Sequence, residues 1–135
     1  MENFTLNKDI HLICVRATSF PDGIQEAMEK LEQVDSSIAT RTFYGVSHGS
    51  DNGIIYWAAV QEAFSGEANT FKLESYKLKK GVYASETLNN IMDNEEKIGQ
   101  TFEKLLEHPH LDPMGECIEW YKSINEVQCM VRILE

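Results

Sequence analysis

The sequence predicts an α+β fold: duplicated β-α-β-β repeats forming one curved antiparallel sheet, with two helices on one face and a ligand groove on the other. Three observations lead there. Runs of branched and aromatic residues have strand length, two stretches carry apolar residues at helical spacing, and the order strand, helix, strand, strand occurs twice. A chain of 135 residues, 42% hydrophobic and 25% charged, has the length and balance of one domain (1–135) with its own core.

The first strand is His11-Leu12-Ile13-Cys14-Val15-Arg16-Ala17, stopped by Pro21-Asp22-Gly23. A helix follows, with Asp22 as its expected cap and Ile24, Met28, Leu31 and Val34 along its inner face. Thr42 to Val46 and Ile54 to Val60 read as a hairpin around Ser50-Asp51-Asn52-Gly53, where Asn-Gly tolerates positive φ. Residues 71 to 78 supply a further extended segment. The second repeat has Val82-Tyr83-Ala84 as a strand, then a helix facing inward through Ile98, Phe102, Leu105 and Leu106 and ended by His108-Pro109. Gly99 inside that helix lowers its propensity by about 1 kcal/mol. Cys117 to Tyr121 and Val127 to Leu134 close the chain as a hairpin around Ser123-Ile124-Asn125.

Charge excludes some partners. Twenty-two acidic residues against twelve basic ones give a net charge of -10, which repels nucleic acid and anionic membrane surfaces. Lys72, Lys77, Lys79 and Lys80 form the basic cluster, read as a solvated strand edge. Cys14, Cys117 and Cys129 lie in apolar strands without metal or redox spacing, so they are expected to be buried free thiols. The first residues carry no basic-then-apolar stretch, and no run of eighteen apolar residues occurs, so a soluble cytoplasmic protein is expected. No metal or other cofactor is expected: His108 and His110 lack a Cys or His pair to complete a site, and nothing marks an axial haem ligand.

One residue breaks the pattern. Glu119 stands inside Cys117-Ile118-Glu119-Trp120-Tyr121, where an unpaired carboxylate costs several kcal/mol if taken from water. Strand alternation puts Glu119 and Tyr121 on one face and Ile118 and Trp120 on the other. A charge should avoid the helix-packed side, which assigns Glu119 and Tyr121 to the groove opposite the helices. Tyr44, Tyr83 and one of Tyr56 and Trp57 are candidate walls, since those two neighbours on a strand face opposite ways; Trp57 is the one taken. Glu119 is also open to two plainer readings, an edge residue reaching water or the partner of Arg132 on the next strand.

The duplicated order, Phe43-Tyr44-Gly45-Val46, Lys80-Gly81-Val82-Tyr83-Ala84 and Glu119-Trp120-Tyr121 together resemble the GyrI-like small-molecule-binding family, which includes effector-binding domains of AraC-type and MerR-type bacterial regulators. The resemblance covers most of the chain. It implies an aromatic-walled pocket for cationic, lipophilic compounds with Glu119 at its floor, and gives Tyr121 and Tyr83 added weight as walls. Those regulators carry a helix-turn-helix for which this chain has neither room nor basic charge, so the resemblance is to a free-standing form. Some free-standing relatives are hydrolases of cyclopropane-bearing alkylators, which makes Glu119 as an activator of water the second reading. A third is a protein-protein interaction module whose acidity steers a basic partner. A homodimer through the sheet edge or helices is compatible with all three.

Overall fold

The computed structural model describes residues 1–134. Eight antiparallel strands form one sheet: β1 (Glu2–Leu6), β2 (Ile10–Arg16), β3 (Phe43–Ser50), β4 (Gly53–Gln61), β5 (Glu74–Leu78), β6 (Gly81–Asn89), β7 (Cys117–Ser123) and β8 (Glu126–Arg132). Helix α1 (Ile24–Val34) follows β2, α2 (Glu67–Phe71) follows β4, and α3 (Glu96–Leu105) follows β6. The expected α+β architecture with its repeated strand-helix-strand-strand order is what the chain adopts.

Sheet order exposes the duplication. It runs β1, β6, β8, β7, β3, β4, β2, β5, so that read from either edge the strands play the same parts, with β3 and β7 paired at the centre. Each half lends an edge to the other: β1 pairs with β6 and β5 with β2. The related turns also meet, since the Lys80 N–H donates to Asp9 Oδ1 at 2.8 Å. Among the described residues helix α2 has no counterpart in the second half.

Alternation along the strands builds two kinds of core. On one face a cluster from Leu6 in β1 to Leu78 in β5 draws a residue from each of the eight strands and none from a helix, so the sheet curls into a half-barrel packed on its own side chains. On the other face α1 buries Ala27 and Leu31 against Ile13, Ala58 and Val60. Helix α3 does the same with Phe102 and Leu105 against Ala84, Val127 and Val131. Each large side chain so buried contributes about 1.5–3 kcal/mol. The helices lie over β2/β4 and β6/β8, and the central strands β3 and β7 run between them.

Several local expectations change. Gly23, not Asp22, precedes the first turn of α1, without a side-chain cap. Strand β1 and helix α2 were not expected; each is five residues long, too short for a period to show. The Asn52-Gly53 turn forms as expected, with Gly53 at φ +105°. Strand β5 is an edge, and Lys77 is exposed on it, in keeping with a solvated edge. No helix among the described residues is long and apolar enough to cross a membrane.

Candidate functional site

Between α1 and α3, over the uncovered central strands, lies a cleft of about 1040 Å³. Glu119 is at its floor. The carboxylate is 7% exposed, and β3 passes beside it with Gly45 as its cross-strand neighbour. Tyr121 from the same strand and Tyr56 from β4 both donate their phenol O–H to Glu119 Oε1, Tyr56 at 3.3 Å. Among the described residues no hydrogen bond reaches Oε2, so the second oxygen is available on the cleft side.

Burial raises the pKa of Glu119 above its ordinary 4.5, while the hydrogen bonds from Tyr121 and Tyr56 pull it down. Both phenols are raised as well: burial and then the charge of Glu119 push up Tyr56 and Tyr121. They remain donors at any physiological pH. Cys117 and Cys129, beside the carboxylate on the same face, are free thiols pushed up by burial to about 11 and about 12. Neither is a ready nucleophile.

Gly45 is what allows this triad. A Cβ there would lie 2.2 Å from Tyr56 Oη and 2.8 Å from Glu119 Oε1. Glu119 can yield toward the cleft, but Tyr56 is fully buried and its ring carbon Cζ would also lie at 2.8 Å, so that clash has no cheap relief. Gly45→Ala is expected to destabilise the protein by about 1–3 kcal/mol, read from urea melts, and to push the Tyr56 hydroxyl away from Glu119. An unchanged melt would mean that the triad relaxes freely.

The structure brings together Glu119 and Tyr121 of the expected residues, but on the helix-bearing face rather than opposite it. The reason is the gap between the helices, which gives a charge an open floor without crossing to the far side. With the face reversed, Tyr56 replaces Trp57, since Tyr56 shares the face of Ala58 and Val60. Tyr44 and Tyr83 are buried in the half-barrel core, their hydroxyls pushed up to about 12 by burial. Tyr83 donates to the Lys79 carbonyl at 2.5 Å. Trp57 borders a smaller hollow of about 240 Å³ on that same far side, donates to Glu74 Oε2 at 3.3 Å and lies against His48. Arg132 does not pair with Glu119; it binds Asp112 at 3.4 Å and faces the other way.

Sequence reasoning missed the cleft walls. Helix α1 contributes Ile24, Gln25 and Met28; α3 contributes Glu96, Gly99 and Glu103, with Glu95 and Leu106 flanking its two ends. The signal was present in α3, where positions 96, 99, 103 and 106 form a second stripe beside the buried one. Among the described residues, no group of three or more His, Cys, Asp or Glu side chains is arranged to hold a metal ion.

Comparison with known proteins yields the fold. No protein-family model matches the chain, and no curated protein matches it. Solved structures do. An integron cassette protein from the mobile metagenome of Vibrio cholerae, VCH_CASS2, superposes with a TM-score of 0.68 at 16% identity, covering 98% of this chain and 95% of that one. SAV2435 bound to tetraphenylphosphonium gives 0.64 at 11% identity, covering 98% and 93%. A hydrolase from Listeria innocua gives 0.64 at 10% identity, covering 98% and 90%. At such identities the likeness is one of fold, and the chain shares the architecture of these three proteins over nearly its whole length.

Proposed function

We propose that this protein binds small lipophilic organic cations in the cleft between α1 and α3, with Glu119 as the counter-charge, in a sensing or sequestering role. One observation carries the reading: the cleft gathers large apolar side chains and negative charge while excluding positive charge. Phe20, Ile54, Met92, Leu106 and Ile124, all left exposed by the fold, line it. So do five carboxylates, Asp22, Glu95, Glu96, Glu103 and Glu119, and no lysine or arginine among the described residues. Contiguous exposed apolar surface marks an interaction site, and a desolvated carboxylate selects a cation for it. Tyr121 and Phe20 add rings whose faces favour positive charge. The resemblance to the GyrI-like family and the tetraphenylphosphonium held by SAV2435 support the same ligand class.

Tetraphenylphosphonium at a hundred times its Kd is expected to stabilise the protein by about 2.7 kcal/mol, seen as a raised Tm, while a neutral analogue of the same shape does much less. Equal shifts from both would remove charge from the recognition.

A hydrolytic reading has one observation in its favour. A carboxylate with raised pKa, one oxygen held by two phenols and the other facing the cleft, suits a general base for water. The hydrolase among the similar folds is in keeping with it. Incubation with a cyclopropane-bearing alkylator separates the two readings: recovery of the intact compound favours binding, and a ring-opened, water-added product that Glu119→Gln fails to form favours hydrolysis.

A further inference from the structure

We propose that Gly99 sets which cations the cleft admits, by keeping the α3 wall open for a bulky, branched apolar group; the inference rests on the cation-binding reading above. Gly99 stands in the interior of α3, where glycine is the least favourable residue after proline. Glycine in such a place is usually explained by a positive φ or by a close approach of backbone. Neither holds here. Gly99 is not among the residues with positive φ, and a Cβ built on it meets no heavy atom within 4 Å. Gly99 is exposed and lines the cleft, so the missing side chain leaves open space at the cleft wall.

The surroundings give that space its character. Gly99 lies at the middle of the cleft-facing stripe of α3, with Glu96 one turn before it and Glu103 one turn after. The opposite wall, from α1, offers Ile24 and Met28. A side chain at position 99 would stand on the cleft wall between Glu96 and Glu103, in space that glycine leaves open. Glycine there leaves bare helix backbone, against which an aryl or branched alkyl group can pack while its charge reaches the floor. The fitting ligand is a broad, three-dimensional lipophilic cation rather than a slender one.

The test uses two probes on the full chain, tetraphenylphosphonium as the broad cation and decyltrimethylammonium as the slender one. Gly99→Ala should raise the Tm of the free protein by roughly 2–4 °C, because helix propensity improves and nothing is displaced. Gly99→Leu should weaken tetraphenylphosphonium at least tenfold while changing decyltrimethylammonium less than threefold, both by calorimetry. A lowered Tm for Gly99→Ala would give the glycine a structural role and overturn the inference. Equal losses of both probes, or no loss of either, in a folded Gly99→Leu variant would overturn it also and leave the cation reading standing. Failure of both probes to bind the parent protein would sink that reading itself, and this inference with it.

Discussion

Glu119→Gln is expected to weaken lipophilic cations about 30-fold or more, equivalent to ~2 kcal/mol, and to erase the part of the pH dependence of binding that lies between 4.5 and the raised pKa of Glu119. The amide keeps the shape and still accepts from Tyr56 and Tyr121 through its carbonyl oxygen, so the floor stays in place. What leaves is the charge. In the parent protein burial favours the neutral acid, and the folded pKa lies above the ordinary 4.5. A cation needs the ionised form, so affinity should rise about tenfold per pH unit below the raised pKa and level off above it. Stability should move the other way. Between 4.5 and the raised value the folded state holds more protons than the unfolded chain, so the contribution of Glu119 is fully present below 4.5 and is lost as pH rises through the folded pKa. The glutamine variant lacks that slope and should be no less stable than the parent at pH 8. Titration calorimetry and urea melts across this range read both effects; cation affinity in the variant that equals the parent's, or follows pH as steeply within that range, would disprove the assignment.

The largest effect on stability is expected away from the cleft, at Arg41. Its two terminal nitrogens each donate to one oxygen of Glu67 at 2.7 Å, and the Ala63 N–H adds a third bond at 2.9 Å. Glu67 is 1% exposed, at the start of the short helix α2, and Arg41 stands just ahead of β3. The pair pins the segment around α2 to the start of the strand that carries Gly45. Arg41→Ala leaves a buried carboxylate with a single backbone donor, an expected loss of about 3–5 kcal/mol. Arg41→Lys should recover part of it, since the charge returns without the two-pronged geometry. The pH response is opposite to that of Glu119. Arg41 holds the Glu67 pKa below 4.5, so the pair's contribution is present above 4.5 and is lost as pH falls through the lower folded value. Denaturant melts of the parent and Arg41→Ala should therefore converge in acid; a constant gap would mean that the loss is one of packing.

Much of the fold was legible because its signals are local and periodic. The apolar stripe of α1, the Asn52-Gly53 turn and the closing hairpin all declare themselves within a dozen residues. The identity of the floor residue was legible too, since a carboxylate inside Ile118-Glu119-Trp120 contradicts its neighbours. Its face was not. Alternation fixes that Glu119 and Tyr121 point together, but choosing the face required knowing that the two helices stand apart, and this depends on which strands each one covers. The mistake then carried over to Trp57 in place of Tyr56, because one parity rule governs both. The edge strands exchanged between halves were out of reach for another reason: β1 and β5 pair with strands about 80 and 65 residues away, and no local pattern encodes such a partner.

Two identical repeats facing each other across β3 and β7 would be obliged to bring like groups to the axis, and a pair of acids there would repel one another or share a proton. Joining the repeats in one polypeptide lifts that obligation. The twin positions are free to drift apart, so a lone anion can stand beside a hydrogen-only neighbour, as Glu119 does next to Gly45. Under the proposed function, asymmetry of this kind gives a nearly symmetric body one anionic floor rather than two, and the expected stoichiometry is a single guest per chain.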